Sequence, residues 1–249
     1  MFLNKKISLV IPTKNEEKNL SLLLTQLPEF IDEIIVVDAS STDGTYELAL
    51  NSDKVAKTFK QKGFGKGSAL CLGAQKASGD FIIFMDSDGS MSPKEFPVIL
   101  NALIAHGADI VKGSRYLKGA GSDDLSHFRS IGNKGLLLVT NLLYKCSWTE
   151  LAYGYFALKA STVSKLDLNE FESKVSSGFM FPKLAYGQGF EIEAVIFCRA
   201  VRRNLKVLEF PSHETKRWNG TSNLKAIPDG FRVLSAIILE RIRSERRFT

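Results

Sequence analysis

Short apolar runs alternate with amphipathic segments through the first half of the chain. The apolar runs predict buried β-strands, at residues 7–11, 33–37, 55–59, 81–85 and 109–112. Between them, apolar positions three and four residues apart predict helices, at residues 17–27, near 41–43, at 67–78 and from Pro93 onward. This alternation favours an α/β fold with a mostly parallel central sheet that helices cover on both faces.

The pattern changes at about Gly113, where a polar, glycine-rich stretch begins, GSRYLKGAGSDDLSHFRS. Loops of that length are commonly functional. Beyond it, the pattern predicts helices at residues 131–144, 190–203 and 229–247, and strands at residues 153–158 and 206–210. No linker or repeat interrupts the sequence, so we expect one domain over residues 1–229, followed by a basic amphipathic helix at residues 230–249.

The composition of the 249 residues, 44% hydrophobic and 24% charged, is that of a globular protein with a sizeable core. A net charge of +6 and an isoelectric point near 9.1 suit an anionic partner such as a nucleotide or a lipid phosphate. The sequence has neither zinc-finger spacing nor an aromatic-rich basic stripe. We therefore expect no nucleic-acid partner.

Cysteine spacing and the apolar runs restrict the cellular location. The three cysteines lie far apart without a C-x-x-C pair, which argues against a disulfide framework or a zinc site and favours a reducing compartment. The N-terminal apolar run is too short for a signal peptide, and no apolar stretch reaches transmembrane length. We expect a cytoplasmic protein, free or peripheral at the cytoplasmic face of a membrane. The oligomeric state is left open.

Polar clusters follow three of the predicted strands at the points where the strands end. PTKNE follows the first strand, Asp38 the second, and DSDGS the run FIIFM. Ligands of open parallel sheets bind outside the carboxyl ends of the strands, so we expect these clusters to meet on one rim. There, Asp86 and Asp88 can offer hard oxygen ligands to Mg²⁺ or Mn²⁺. Alternatively, the two aspartates cap the next helix or shape a turn, since D-x-D is a common pattern.

A series of motifs, in order along the chain, resembles the family 2 glycosyltransferases. They are SLVIPTKNEEKNL, IDEIIVVDASSTDGT, GKGSAL, GDFIIFMDSDGS, GADIVKGSRY, FRSIGNKG, GFEIEAVIFCRA and KRWNGTSNLKAIPDGFRVL. Within that family, the sequence is most similar to polyprenyl-phosphate sugar synthases of the dolichol-phosphate mannose or glucose type. The resemblance implies the GT-A fold, a UDP- or GDP-sugar donor, an Mg²⁺ or Mn²⁺ cofactor, and inverting transfer of the sugar to a polyprenyl phosphate.

The same resemblance implies a donor site. The residues expected to bind the nucleotide sugar are Pro12, Thr13, Asn15, Glu16, Asp38, Lys66, Asp86, Arg217 and Ser222. The residues expected at the metal are Asp86, Asp88 and Ser90, with Asp88 as the leading and catalytic ligand. Ser90 replaces a glutamine that is frequent in the mannose synthases, and Asn223 replaces the family's usual lysine. Two of these residues have structural alternatives: Asp38 could cap a helix, and Lys66 could be a solvated lysine in a glycine turn.

The acceptor side is expected to be cationic, because a phosphate is already ionised near neutral pH and needs cations rather than a general base. Arg115 and Arg129 match arginines that bind phosphate in the lipid-phosphate synthases, and Lys134 is a third candidate. We count both arginines as catalytic. Glu193 could contact the donor sugar, or act as the base if the acceptor were a hydroxyl. Each of these side chains could instead be a surface charge.

The C-terminal helix combines an apolar stripe with a basic end. The stripe contains Val233, Leu234, Ile237, Ile238 and Ile242, and the end contains Arg241, Arg243, Arg246 and Arg247. Such a helix can lie on an anionic bilayer, or it can pack its stripe into the core. The first of these would fit the lipid acceptor that the resemblance implies, and we expect peripheral contact with a membrane surface. Two alternatives stay open: a saccharide hydroxyl acceptor with Glu193 as base, and an inactive nucleotide-binding scaffold.

Overall fold

The computed structural model describes residues 1–168 and 186–246. Its strands are β1 Ile7–Thr13, β2 Glu33–Asp38, β3 Lys57–Lys60, β4 Phe81–Phe84, β5 Ile110–Ser114, β6 Gly121–Ser122, β7 Phe156–Lys159, β8 Val207–Pro211 and β9 His213–Glu214. Its α-helices are α1 Glu17–Gln26, α2 Thr45–Leu50, α3 Gly65–Lys76, α4 Phe96–Ala105, α5 His127–Tyr144, α6 Ala160–Lys165, α7 Ile192–Arg202 and α8 Ala226–Arg246. The predicted helices and strands are present within a few residues of their expected bounds, and Arg247 lies outside the described residues.

Within the described residues, seven strands form the central sheet, in the order β3-β2-β1-β4-β7-β5-β8. The pairs β1–β2, β2–β3, β1–β4 and β5–β8 are parallel. β7 runs antiparallel to both of its neighbours, β4 and β5. The predicted mostly parallel sheet is therefore confirmed. The reversed insertion of β7 is not visible in the pattern, because an apolar run does not show which way its strand points.

Successive residues of the central strands enter two hydrophobic clusters, one on each face of the sheet. Val10 and Phe84 belong to the cluster covered by α3, α5, α7 and α8. Leu9 and Ile83 belong to the cluster covered by α1 and α4. Burying one such side chain contributes about 2 kcal/mol, so both faces select apolar residues and the strands read as continuous apolar runs.

Helix α5 begins one turn earlier than the hydrophobic pattern predicts. Ser126 caps it, and the Ser126 Oγ accepts a hydrogen bond from the Arg129 N–H at 3.3 Å. The first turn of α5 holds one apolar residue, Phe128, among three polar ones, so it resembles a loop in the sequence. As a result, Arg129 lies on a helix rather than in a flexible segment.

The predicted apolar stripe of α8 divides between two faces of the helix. Val233 and Ile237 are buried in the core, whereas Ile238 and Ile242 are exposed. The hydroxyl of Tyr144 donates to the carbonyl oxygen of Ile237 at 2.8 Å, which ties α8 to the end of α5. The domain division at residue 229 stays a prediction. In the part of the chain that the structure describes, no helix is both long and apolar enough to span a bilayer.

Candidate active site

The three polar clusters lie together at one end of the sheet, as the strand pattern predicts. β1 is the parallel neighbour of both β2 and β4, and its register places Thr13 beside Asp38. The Ser87 Oγ donates to the carbonyl oxygen of Pro12 at 3.3 Å, which joins the loop after β4 to the end of β1. This carboxyl-end rim is the candidate active site.

Asn15 and Asp38 connect the first two loops of the rim. Asn15 has a left-handed φ of 56°, and its N–H donates to the Ser41 Oγ at 2.8 Å. Its Oδ1 accepts from the Thr42 N–H at 2.7 Å. Asp38 is fully buried and accepts from the Ser41 N–H at 3.0 Å, so it shapes the turn at residues 38–41. These contacts fix the loop that is expected to meet the nucleoside.

The Asp88 carboxylate is held from both sides. Its Oδ1 accepts from the N–H and the Oγ of Ser90 at 3.0 and 2.7 Å, and its Oδ2 accepts from the Arg217 Nη2 at 2.7 Å. Gly89 has a φ of 81°, and a Cβ there would overlap the Trp218 indole, so the loop requires glycine. Neither Asp88 nor Asp86 caps α4, which begins beyond the 3₁₀ turn Pro93–Glu95.

Lys66 bridges two further carboxylates of the rim, those of Asp86 and Glu193. Its Nζ lies 2.7 Å from the Asp86 Oδ1 and 3.0 Å from the Glu193 Oε1. Burial and the nearby charge of Asp88 raise the pKa of Asp86 to about 6, although the charge of Lys66 alone would lower it. Burial alone would lower the pKa of Lys66, but the two carboxylates raise it. Lys66, with 10% of its side chain exposed, is therefore a charged residue held within the site, and the alternative of a solvated lysine is wrong.

Two glycine positions allow Lys66 to enter the site. A Cβ on Gly154 would lie 2.3 Å from the Lys66 Nζ. A Cβ on Gly67 would lie 2.1 Å from the carbonyl oxygen of Gly187, and the Gly67 N–H donates to the carbonyl oxygen of Gln188 at 2.8 Å. The glycines at the start of α3 thus permit close backbone packing, which directs Lys66 at the carboxylates.

A covering segment, residues 215–219, lies over the loop that carries Asp88. The Thr215 N–H donates to the carbonyl oxygen of Ser90 at 2.9 Å, and the Trp218 N–H donates to that of Asp88 at 3.0 Å. The Asn219 side chain donates to the Asn19 Oδ1 at 2.8 Å, which attaches the segment to α1 as well.

Arg217 of the covering segment contacts two acidic side chains of the rim. It binds Asp88, and its Nη1 lies 3.7 Å from the Glu16 Oε1. Burial raises the pKa of Glu16, although the hydrogen bond from Asn19 and the charge of Arg217 each lower it. The Arg217 Nε is buried without a hydrogen-bond partner, so the present contacts leave one guanidinium donor unused.

Arg115 is placed differently from the expected acceptor-binding arginine. It is buried, with its Nε 2.8 Å from the Glu150 Oε2 and its Nη1 3.1 Å from the Glu214 Oε2. Its Nη2 donates to the carbonyl oxygen of Ala152 at 3.1 Å, and the guanidinium stacks over the Tyr153 ring. With all three nitrogens engaged, Arg115 would have to break these contacts to bind a phosphate, so this role stays a prediction that the geometry disfavours.

The other acceptor candidates lie nearer the surface. The Arg129 Nη1 is 3.6 Å from the Asp124 Oδ2, and both side chains are partly exposed. Lys134 is exposed, with its Nζ 5.6 Å from the centre of the Tyr116 ring. Ser222 is also exposed, and its Oγ accepts from the Leu224 N–H at 3.2 Å. These contacts do not bring Ser222 to the Asp88 loop.

Sequence reasoning overlooks the residues that support the site. Trp218, Thr215, Asn19 and Gly154 act through close packing or backbone hydrogen bonds, which no residue pattern displays. Trp218 had one signal, because it directly follows Arg217 in the recognised KRWNG motif.

The rim offers a divalent cation few protein ligands but a suitable charge. Among residues 1–168 and 186–246, no group of three or more His, Cys, Asp or Glu side chains is placed to hold a metal ion. Asp86 and Asp88 still fit Mg²⁺ or Mn²⁺, because Mg²⁺ commonly takes one or two carboxylates and completes its shell with substrate phosphates and water. Within the described residues, one cluster of ion pairs at the rim joins four acidic side chains, Glu16, Asp86, Asp88 and Glu193, to two cations, Lys66 and Arg217. The formal surplus is two negative charges, which one divalent ion would balance.

Comparison with known sequences identifies the family. Residues 8–162 match the model of glycosyl transferase family 2. A dolichol-phosphate mannosyltransferase of Pyrococcus furiosus is 35% identical over 181 residues, 68% of this chain and 51% of the relative, so the chain spans about half the length of that protein. A polyprenol monophosphomannose synthase of Mycolicibacterium smegmatis is 30% identical over 225 residues, 86% of this chain and 79% of the relative.

Solved structures give the same fold. Glucosyl-3-phosphoglycerate synthase from Mycobacterium tuberculosis, in complex with Mn²⁺, UDP and glucosyl-3-phosphoglycerate, superposes with a TM-score of 0.68 at 20% identity, over 96% of this chain and 80% of that one. The same enzyme with Mg²⁺ and UDP gives a TM-score of 0.69 at 21% identity, over 96% of this chain and 79% of that one. The match to the family model, the similar mannosyltransferases and the shared architecture lead to one conclusion: this chain belongs to glycosyl transferase family 2 and has the GT-A fold.

Proposed function

We propose that the chain is an inverting glycosyltransferase that moves a monosaccharide from a UDP- or GDP-sugar to a polyprenyl phosphate. The relatives named above act on dolichol or polyprenol phosphates, and a third similar protein is an undecaprenyl-phosphate mannosyltransferase of Micrococcus luteus. The observation that carries the proposal is the surplus of carboxylates at the rim, beside two cations that already lie within 3.0 Å of Asp86, Asp88 and Glu193.

On the donor side, the charges of the rim would be redistributed when the nucleotide sugar binds. Lys66 and Arg217 now bind carboxylates, and both can turn to the diphosphate once a divalent ion balances those carboxylates. Asp88, with Asp86, would hold Mg²⁺ or Mn²⁺, and the bound ion would supply Lewis-acid stabilisation of the leaving diphosphate. Ser90 donates to Asp88 and so keeps the carboxylate oriented for this task.

On the acceptor side, the phosphate oxygen that attacks the anomeric carbon is already ionised and needs no general base. Arg129, which is partly exposed, and Lys134, which is exposed, would hold it in line with the departing diphosphate. Glu193 is committed to an ion pair with Lys66, so accepting a proton would disrupt that pair. The protein would meet its acceptor at a membrane surface, as a peripheral protein.

The direct test is transfer by purified protein with Mg²⁺ or Mn²⁺, UDP- and GDP-sugars, and a short polyprenyl phosphate, with mass analysis of the product. We expect a polyprenyl-phosphate monosaccharide, and its loss in Arg129→Ala but not in Glu193→Gln. Loss in Glu193→Gln with full activity in Arg129→Ala would favour a hydroxyl acceptor instead. If the protein binds nucleotide but transfers sugar to no acceptor, the result would support the alternative of an inactive nucleotide-binding scaffold.

A further inference from the structure

The first turn of helix α3 is capped by a distant part of the chain. Residues 187–189, which we call the Gln188 turn, lie shortly before α7. The carbonyl oxygen of Gln188 accepts hydrogen bonds from the N–H groups of Gly67 and Ser68 at 2.8 and 3.3 Å. The first N–H groups of a helix need an acceptor from outside it, and Phe64, at the N-cap position, has no side-chain oxygen to offer. The Gln188 turn therefore supplies the cap of α3.

The Gln188 turn and the start of α3 pack without space between them. A Cβ on Gly65 would lie 2.5 Å from the carbonyl oxygen of Gln188, and the same close approach occurs at Gly67, opposite the carbonyl oxygen of Gly187. A Cβ cannot come so near to an oxygen, so the turn fixes the backbone on either side of Lys66. A displacement of the turn would therefore move the backbone of Lys66 as well.

The carboxylate of Glu191, which is buried, holds the Gln188 turn in place. Its Oε1 accepts hydrogen bonds from the N–H groups of Gly187 and Gly189 at 2.9 and 3.3 Å. Glu191 also directly precedes α7, and in the first turn of that helix Glu193 lies 3.0 Å from the Lys66 Nζ. The backbone and the side chain of Lys66 thus both contact structure that Glu191 positions.

Arg232 of α8 binds Glu191 with two nitrogens of its guanidinium. The Arg232 Nε donates to the Glu191 Oε2 at 3.0 Å, and its Nη2 donates to the Glu191 Oε1. Only 8% of the Arg232 side chain and 2% of the Glu191 side chain are exposed. Such a fork fixes the orientation of the carboxylate as well as its position. The contacts therefore run without interruption from α8 through Glu191, the Gln188 turn and the start of α3 to Lys66.

We infer that Arg232 and Glu191 are positioning residues for Lys66, and through it for the diphosphate of the donor. Arg232 orients the Glu191 carboxylate, the carboxylate fixes the Gln188 turn, and the turn fixes the helix start from which Lys66 reaches Asp86. The inference rests on the proposed donor site for its effect on nucleotide binding. Its effect on the start of α3 can be measured on the ligand-free protein, so the two proposals fail separately.

The variant that tests this path is Arg232→Lys, which keeps the charge but loses the fork. Arg199→Lys is the matched control, because Arg199 joins α7 to α8 through another buried carboxylate, that of Glu240. Hydrogen exchange of the ligand-free protein, measured by mass spectrometry on peptides from the start of α3, reports how well Gly67 and Ser68 are capped. Exchange there should be about tenfold faster in Arg232→Lys and unchanged in Arg199→Lys.

Nucleotide affinity gives the second measurement. In calorimetry with Mn²⁺, Arg232→Lys should bind UDP or GDP, whichever the wild type prefers, about tenfold more weakly, whereas Arg199→Lys should bind like wild type. In a Lys66→Gln background, Arg232→Lys should cause no further loss, because its effect passes through Lys66. A general loosening of the fold would instead add to the loss caused by Lys66→Gln.

Glu191→Gln is a second variant of the same path. It keeps an acceptor oxygen for the Gln188 turn but loses the charge that holds Arg232. Exchange at the start of α3 should again be faster than in Arg199→Lys.

Two results would overturn the inference. Exchange at the start of α3 could be the same in Arg232→Lys as in Arg199→Lys, or Arg232→Lys could weaken nucleotide binding as much in the Lys66→Gln background as in the wild type. If the wild type bound neither UDP nor GDP, the proposed donor site would fail, and hydrogen exchange would then decide the inference by itself.

Discussion

The two ends of the central sheet hold carboxylates under opposite electrostatic conditions, a buried one at the amino end and a partly exposed one at the carboxyl end. At the amino end, Glu33 accepts hydrogen bonds from Ser8 and Ser78 and pairs with Lys57 at 2.6 Å. Burial opposes its ionisation, but these donors outweigh burial and lower the pKa of Glu33 to about 2. At the carboxyl end, burial and neighbouring carboxylates raise the pKa of Asp86 to about 6, although Lys66 is in contact.

The difference separates structural charges from functional ones. Where donors saturate a carboxylate, as around Glu33, its charge stabilises the fold. Where carboxylates outnumber cations, as around Asp86 and Asp88, an added cation makes the most favourable electrostatic interaction. Arg115 belongs with the first kind, because Glu150 and Glu214 hold it inside the protein.

The largest effect is expected from Asp88→Asn. It removes the carboxylate proposed to hold the metal, so kcat for sugar transfer should fall about a thousandfold, equivalent to about 4 kcal/mol. The melting temperature should not fall, because the change relieves a surplus of negative charge. Asp123→Asn, at an exposed carboxylate paired with His213, is the control and should keep full activity. Equal activity in both variants would contradict the assignment.

Arg115→Met should affect stability more than any exposed arginine does. Glu150 and Glu214 would be left buried without their partner, so the free energy of unfolding should fall by about 3 to 4 kcal/mol in urea titrations. Arg129→Met is the comparison. It should change that free energy by less than about 1 kcal/mol and raise the KM for the acceptor instead. A stable Arg115→Met protein with a raised acceptor KM would restore the sequence-based role.

Glu33 predicts a pH dependence of stability. Its pKa is lowered in the folded state from 4.5 to about 2, so its contribution of about 3 kcal/mol is complete above 4.5 and is lost as the pH falls towards 2. Glu33→Gln should therefore be less stable than wild type near neutral pH, and the difference should shrink across this window. Urea titrations at several pH values measure it. A constant difference would show that the charge of Glu33 contributes nothing.

The smallest effect is expected from Arg217→Lys. A lysine keeps the positive charge but lacks the fork that now reaches both Asp88 and Glu16. The KM for the nucleotide sugar should rise about tenfold, about 1.4 kcal/mol, with the melting temperature unchanged. An unchanged donor KM would mean that Arg217 only fastens the covering segment.

Sequence reasoning predicts the rim well, for a physical reason. The apolar runs fix where the strands end, and in parallel strands those ends coincide, so Asp38, Asp86 and the PTKNE loop had to meet. The reversed direction of β7 could not be predicted, because the pattern of apolar side chains is the same whichever way a strand runs in the sheet.

The sequence-based prediction failed mainly for charged side chains that the fold encloses. Arg115 and Lys66 resemble surface cations in the sequence, and only the folded chain brings Glu150, Glu214 and Glu193 to them from distant positions.

The central claim is that the surplus carboxylates of the rim take a divalent cation together with a nucleoside diphosphate. Calorimetric titration of UDP and GDP into wild type, with and without Mn²⁺, and into Asp88→Asn tests it most directly. We predict that one of the two nucleotides binds the wild type at least about tenfold more tightly with Mn²⁺, and that Asp88→Asn abolishes this gain. Binding that is indifferent to Mn²⁺, or a gain that persists in Asp88→Asn, would contradict the account.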